Sequence, residues 1–181
     1  MNIETIKNTL PEFAKDIKLN LENVLQADPT AGLDEQHVLA IALASAYTIK
    51  HADLVAALES AVDAELAQGA KIAATIMAMN NIYYRFVHLV KDKEYQSMPA
   101  KLRMSMMAKP GIDGVLFELM SIAVSALNGC GLCLDSHTNK LVKEGVNKAT
   151  IQTSVRIAAV IHAADQALSI DEQTHKTAQA A

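Results

Sequence analysis

The spacing of apolar residues constrains the fold of this chain more than any other feature of its sequence. Apolar side chains recur every three or four positions through nearly all of the 181 residues, which places them on one face of an α-helix. Strong helix formers such as Ala, Leu, Met, Glu, Lys and Gln are abundant, whereas β-branched runs and hairpin turns are few. We therefore predict an all-α fold.

The predicted helices cover most of the chain. They are expected near residues 3–25 (broken around Pro11), 33–49, 53–67, 70–90, 113–128, 130–144 and 148–168. The polar, Ala-rich segment 171–181 is predicted to be a frayed tail.

A length of 181 residues suits a single domain, 1–181, built around one core. Proline and glycine are concentrated in residues 91–114, which we predict to be a connector. It separates an N-terminal helical half, 1–95, from a C-terminal half, 113–170, which carries the catalytic residues.

The two halves resemble each other. Residues 39–58 and 119–141 both run from an Ala/Ser-rich apolar helix into a second helix. An internal duplication would explain the similarity, and so would the common pattern of any two amphipathic helix pairs.

Composition narrows the classes of partner. The net charge of −4 comes without a run of Lys or Arg, so we expect neither nucleic acid nor an anionic membrane as a ligand. The longest uncharged stretch has 16 residues, 119–134, fewer than the ~20 that a membrane helix needs.

The N-terminus lacks a basic segment followed by an apolar core, so we expect a cytoplasmic protein.

The two cysteines, Cys130 and Cys133, are the main candidates for chemistry. In a chain without an export signal, such a close pair is more typical of catalysis or metal binding than of a structural disulfide. Asn128 and Gly129 are expected to end one helix and to place Cys130 in the first turn of the next. There, unpaired N–H groups and the helix dipole stabilise a thiolate and lower a cysteine pKa below its ordinary ~8.5.

The cysteines share one helical face with His137, because positions i, i+3 and i+7 project within an arc of roughly 60°. An imidazole one turn beyond Cys133 is placed to accept or return a thiol proton near neutrality. Two cysteines three residues apart can also approach disulfide geometry, so one can be oxidised and the other can resolve it.

Glu118 is the fourth candidate. It falls at the edge of the apolar stripe of the preceding helix, where partial desolvation would raise its pKa and suit it to relay a proton. A solvated helix carboxylate is the alternative.

The pattern of Glu118, eleven residues, Cys130-Gly131-Leu132-Cys133, three residues and His137 resembles the AhpD branch of the carboxymuconolactone decarboxylase-like proteins. Chain length and helical pattern are also similar. The resemblance implies an AhpD-like fold, homotrimers or their multiples, and an antioxidant role without a bound cofactor.

By this resemblance, the protein reduces alkyl hydroperoxides directly, or passes electrons from the dihydrolipoyl group of a lipoylated acyltransferase to an AhpC-like peroxiredoxin. It also implies that Cys133 is oxidised to sulfenic acid and that Cys130 is the proton donor and resolving thiol. Leu132 departs from the pattern, because well-known members carry a second histidine there. The acid–base work would then fall to His137 and Glu118 alone.

Other interpretations stay open. The two cysteines could simply pack in the core, or the protein could be a redox switch or scaffold without turnover. The cysteines could also bind zinc, with Glu118 or His162 as a further ligand. A decarboxylase of the same superfamily would not need the thiols. A thioredoxin-like domain is disfavoured because its Cys-x-x-Cys follows a strand.

The other histidines remain unassigned, and the methionines are predicted to fill the core or an interface: Met77, Met79, Met104, Met106 and Met107.

Overall fold

The computed structural model describes residues 2–179, with side chains through residue 175. This part of the chain contains ten α-helices, one 3-10 turn and no strand, which confirms the predicted all-α class. Within it, no helix has the length and hydropathy required to cross a bilayer.

The helices follow one another along the chain with short connections. They are α1 (Ile3–Thr9), α2 (Lys15–Val24), α3 (Glu35–Ile49), α4 (Ala52–Glu59), α5 (Ala64–Leu89), α6 (Glu94–Ser97), α7 (Ser105–Ala108), α8 (Gly114–Leu127), α9 (Gly131–Lys143) and α10 (Lys148–Gln179), with the 3-10 turn at Glu12–Ala14 between α1 and α2.

The core is built on α3 and α8, which contact each other and both pack against α5 and α10. Residues Val38–Ala46 of α3 are buried without interruption, as are residues Leu116–Ser125 of α8. Helices that are apolar on all sides must be covered on all sides, which explains their central position. Helix α9 then packs against α8 and α5, so the cysteine segment lies at the edge of this core.

The predicted break between residues 67 and 70 is wrong, because the chain turns earlier, between α4 and α5. There Gln36 donates a hydrogen bond from Nε2 to the Ala61 carbonyl oxygen (3.1 Å) and accepts one at Oε1 from the Asp63 N–H (3.0 Å). These bonds satisfy backbone groups that the turn leaves open. Gly69, between the two predicted segments, lies inside α5 against Ile112.

The end of the last helix also differs from expectation. Helix α10 extends to Gln179 rather than ending near residue 168, so the predicted frayed tail is wrong as far as residue 179. Ala, Gln, Glu and Lys in this segment favour helix even without an apolar face. Residues 180 and 181 lie outside the described part of the chain.

The two helix pairs compared in the sequence have similar turns. A left-handed residue follows the first helix of each pair, Lys50 (φ 67°) after α3 and Gly129 (φ 64°) after α8. Duplication of a helical pair remains an interpretation of this similarity.

Candidate active site

The turn between α8 and α9 positions the cysteines. Helix α8 ends at Leu127, and Gly129 adopts a left-handed conformation that costs glycine little. Cys130 was predicted to lie in the first turn of α9. It is instead the N-cap residue, one position before the helix begins. Its Sγ accepts a hydrogen bond from the Cys133 N–H at 3.3 Å, so the sulfur occupies the position of an N-cap side-chain acceptor.

The two cysteines are joined by a disulfide, with their Cα atoms 5.3 Å apart. They differ in access: Cys130 is completely buried, whereas Cys133 lines a cavity. The Cys133 Sγ lies 4.0 Å from the backbone carbonyl oxygen of Asn80 on α5. An external reagent would therefore meet Cys133 first.

His137 and Glu118 are brought together across the interface of α8 and α9. The His137 Nδ1 and the Glu118 Oε2 lie 2.6 Å apart, and both side chains are buried. Lys140, about half exposed on α9, donates a hydrogen bond from Nζ to Oε1 of the same carboxylate at 2.7 Å. Glu118 thus has a partner for each oxygen.

These contacts correct the expected titration of Glu118. Burial is the largest single influence on its pKa and acts to raise it, but the hydrogen bonds and charges of His137 and Lys140 outweigh burial. The pKa of Glu118 is therefore lower than its ordinary value, not higher. The same hydrogen bond raises the pKa of Lys140. Glu118 is consequently an ionised carboxylate near neutral pH. It is neither the solvated helix carboxylate nor the carboxyl group of raised pKa that the sequence suggested.

An ionised carboxylate can only accept hydrogen bonds, so Nδ1 of His137 carries the proton that joins the two side chains. The ring is held in one orientation, and Nε2 is the nitrogen left to exchange a proton. Because His137 and Cys133 line the same cavity, this proton exchange can serve a reaction at Cys133.

The cavity in front of Cys133 has a volume of about 430 Å³. Apolar and weakly polar side chains from α5, the α6–α8 connection and α9 make up most of its wall. The lining residues are Asn80, Tyr84, Met104, Met107, Leu132, Cys133, Ser136 and His137.

A second set of hydrogen bonds supports the cysteine turn from behind. Asn81 donates to the Ser125 hydroxyl and accepts from the Asn128 side chain, both at 2.9 Å. Arg85 donates to the Asn128 carbonyl oxygen at 2.7 Å. These bonds fix the start of α9 to α5.

The chain is similar in sequence to proteins of a known family. The model of the carboxymuconolactone decarboxylase family matches residues 93–173. A protein of Coxiella burnetii named alkyl hydroperoxide reductase AhpD is 51% identical over 176 residues, covering 95% of this chain and 99% of the relative. A Rhodopseudomonas palustris protein of the same name is 46% identical, covering 100% and 99%. The chain belongs to the AhpD family.

A third AhpD relative, from Maricaulis maris, is 48% identical over 167 residues, covering 90% of this chain and 95% of the relative. The matched part includes most of the chain in all three comparisons. The resemblance inferred from the cysteine pattern is thereby confirmed.

The zinc alternative gains no support from the side chains. Among residues 2–175, whose side chains are described, no three or more His, Cys, Asp or Glu side chains are arranged to hold a metal ion. His162, one proposed ligand, is exposed on α10.

Several residues around the cysteines were not assigned to the candidate site from the sequence. Lys140 follows His137 by three positions and so extends the face of α9 that carries Cys133, a signal that could have been recognised. Asn80, Tyr84, Met104 and Met107 come from segments distant in the chain, and no local pattern connects them with the cysteines.

Proposed function

We propose that this AhpD family member reduces alkyl hydroperoxides by cycling Cys130 and Cys133 between dithiol and disulfide. One observation carries the proposal: the more accessible cysteine lines an apolar cavity together with a histidine that a buried carboxylate orients. An apolar wall suits the alkyl group of such a substrate. The names of the three relatives support the same reaction.

In the oxidising half of the cycle, the Cys133 thiolate attacks the terminal oxygen of the hydroperoxide. The S–O bond forms as the O–O bond breaks, leaving Cys133 as a sulfenic acid and the substrate as an alkoxide. His137, having taken the thiol proton, returns it to the alkoxide to give the alcohol. While His137 holds this proton, the Glu118 carboxylate stabilises its imidazolium form.

Cys130 then loses its thiol proton and attacks the Cys133 sulfur; the S–O bond breaks, the proton passes to the departing hydroxide, and the disulfide forms with release of water. The helix N-terminus stabilises the thiolate of Cys130 that performs this attack. Two electrons from the dihydrolipoyl group of a lipoylated partner restore the dithiol through a mixed disulfide. The electrons could equally pass from the dithiol to an AhpC-like peroxiredoxin.

Leu132 borders the cavity where well-known family members have a second histidine, and its side chain is 36% exposed. It offers no proton, so His137 is the proton-exchanging group of the cavity. We expect this arrangement to favour apolar hydroperoxides over hydrogen peroxide, since Leu132 adds apolar surface.

The proposal is tested by a steady-state assay in which NADH, a lipoamide reductase and a lipoyl donor supply electrons. We expect continued NADH consumption with cumene hydroperoxide, and a faster rate with an added peroxiredoxin. A redox switch would respond once and stop. Decarboxylation of a muconolactone-type substrate that survives replacement of both cysteines would instead support the superfamily's other chemistry.

The two cysteine roles are separable by substitution. Cys133→Ser is expected to abolish hydroperoxide consumption, whereas Cys130→Ser should leave a sulfenic acid that a dimedone probe traps at residue 133. Peptide mapping of the probe provides the measurement. Labelling of residue 130 in Cys133→Ser, together with peroxide consumption, would reverse the assignment.

A further inference from the structure

Asn80 is a buried polar residue whose hydrogen bonds are incomplete. It is 4% exposed on α5, and its Oδ1 has no hydrogen-bond partner among the described residues. Its Nδ2 donates only to the Met107 Sδ, at 3.4 Å, and a thioether is a weak acceptor. Buried amide groups are nearly always paired, so this one calls for an explanation.

The neighbouring Asn81 shows the contrast. It is equally buried, but its donor and its acceptor both have partners, in Ser125 and Asn128. Asn81 therefore has a structural role in holding the cysteine turn. The fold does not use Asn80 in this way.

The position of Asn80 points to a ligand. Asn80 is one of the residues that line the cavity with Cys133 and His137, and its backbone carbonyl oxygen lies 4.0 Å from the Cys133 Sγ. The χ2 torsion of asparagine is broad, so the amide can leave the Met107 sulfur at little cost and turn toward a molecule in the cavity.

We propose that the Asn80 carboxamide binds the hydroperoxide group, accepting a hydrogen bond from the terminal O–H whose oxygen Cys133 attacks. The inference rests on the proposed function and adds a substrate-binding residue to it. The substrate O–H supplies the donor that Oδ1 lacks. The other cavity walls, Tyr84, Leu132 and the two methionines, surround the alkyl group.

The test compares two reagents for the same thiol. In a Cys130→Ser background, the rate of Cys133 oxidation by cumene hydroperoxide is measured beside its rate of reaction with methyl methanethiosulfonate, which has no hydrogen-bond donor. Asn80→Leu, of similar size, removes the amide. Asn139→Leu, at an exposed position on α9, is the matched control.

We expect Asn80→Leu to lower the peroxide rate about 10-fold, as for a lost hydrogen bond, and to leave the thiosulfonate rate within about 2-fold. Its melting temperature should not fall, because an unpaired buried amide is removed. If Asn80→Leu does not fold, Asn80→Ala provides the same comparison.

An unchanged peroxide rate, or an equal fall with both reagents, would overturn the role of Asn80. Failure of the parent Cys130→Ser protein to react with the hydroperoxide at all would overturn the proposed function as well. The two failures are therefore distinguishable.

Discussion

The Glu118 carboxylate connects two residues near the cysteines, His137 and Lys140, by hydrogen bonds. Only 3% of its side chain is exposed, yet it contacts His137 and the half-exposed Lys140. A buried charge is costly unless its partners satisfy it, and here both oxygens are satisfied. The same contacts that stabilise the carboxylate fix the orientation of the His137 imidazole.

Glu118→Gln is expected to destabilise the protein by about 3 kcal/mol at pH 7, because it leaves the Lys140 ammonium and the His137 N–H without the carboxylate that pairs with both. Since the folded pKa of Glu118 is lower than its ordinary 4.5, its stabilising contribution is present above about pH 4.5. That contribution is lost as the pH falls through the folded pKa.

Urea unfolding of both proteins between pH 3 and pH 7 provides the measurement. The stability difference should be large at pH 7 and should shrink toward pH 3. Glu12→Gln, at an exposed position, should show little difference at either pH. A constant difference across this range would contradict the ionised state of Glu118.

Sequence spacing was enough to place Cys130, Cys133 and His137 on one face of a helix, because i, i+3 and i+7 positions are adjacent on any α-helix. It could not give the pKa direction of Glu118. That direction depends on how deeply α8 is buried and on Lys140 reaching across from α9, and both are consequences of helix packing.

At the scale of elements, the close contact between α5 and the segment before α8 holds the cavity wall in place. A Cβ atom built at Gly69 would lie 2.5 Å from Ile112 Cδ1 and 3.0 Å from its Cγ1. Glycine lets Ile112 approach the helix backbone, although glycine in a helix interior costs about 1 kcal/mol relative to alanine. The α6–α8 connection, which carries Met104 and Met107, is thereby tied to α5.

Gly69→Ala should destabilise the wild-type protein by about 1 kcal/mol or more, because overpacking exceeds the gain in helix propensity. In an Ile112→Ala background, the same substitution should be neutral or stabilising by up to about 1 kcal/mol. Thermal unfolding of the four proteins measures this coupling. Equal effects in both backgrounds would show that the contact does not constrain Gly69.

The elements themselves were largely predictable, since helical periodicity gave seven segments that correspond to the long helices. The misplaced break at residues 67–70 shows the limit of local rules. Gly69 lies between the two predicted segments, where a tertiary contact with Ile112 favours glycine within a continuous helix. The real turn is held by Gln36 from a different helix.

At the scale of the whole molecule, one face of α5 remains uncovered. Ile82, Phe86 and Leu89 are 67%, 47% and 69% exposed at spacings of four and three residues. Tyr95 packs edge-on against Phe86, with ring centroids 5.2 Å apart, and is itself exposed. A contiguous apolar surface of this kind is typical of a protein interface.

We predict that this face joins subunits of a homo-oligomer, with the number three taken from the family resemblance. Light scattering should give a trimer or a multiple of it, and Phe86→Glu should lower the mass by placing a charge in the interface. Glu172→Gln on α10 serves as a control that should not change the mass. A wild-type mass near the 19.5 kDa of one chain would contradict the prediction.

If the proposed cycle is correct, one hydroperoxide is reduced for each Cys130–Cys133 disulfide that forms. The most direct measurement is a single turnover, in which fully reduced protein is mixed with a limiting amount of cumene hydroperoxide. Cumyl alcohol and lost thiols are then quantified together. We expect one alcohol and two lost thiols for each hydroperoxide consumed, with the disulfide mapped to Cys130 and Cys133. Alcohol formed without loss of these thiols, or thiol loss without alcohol, would contradict it.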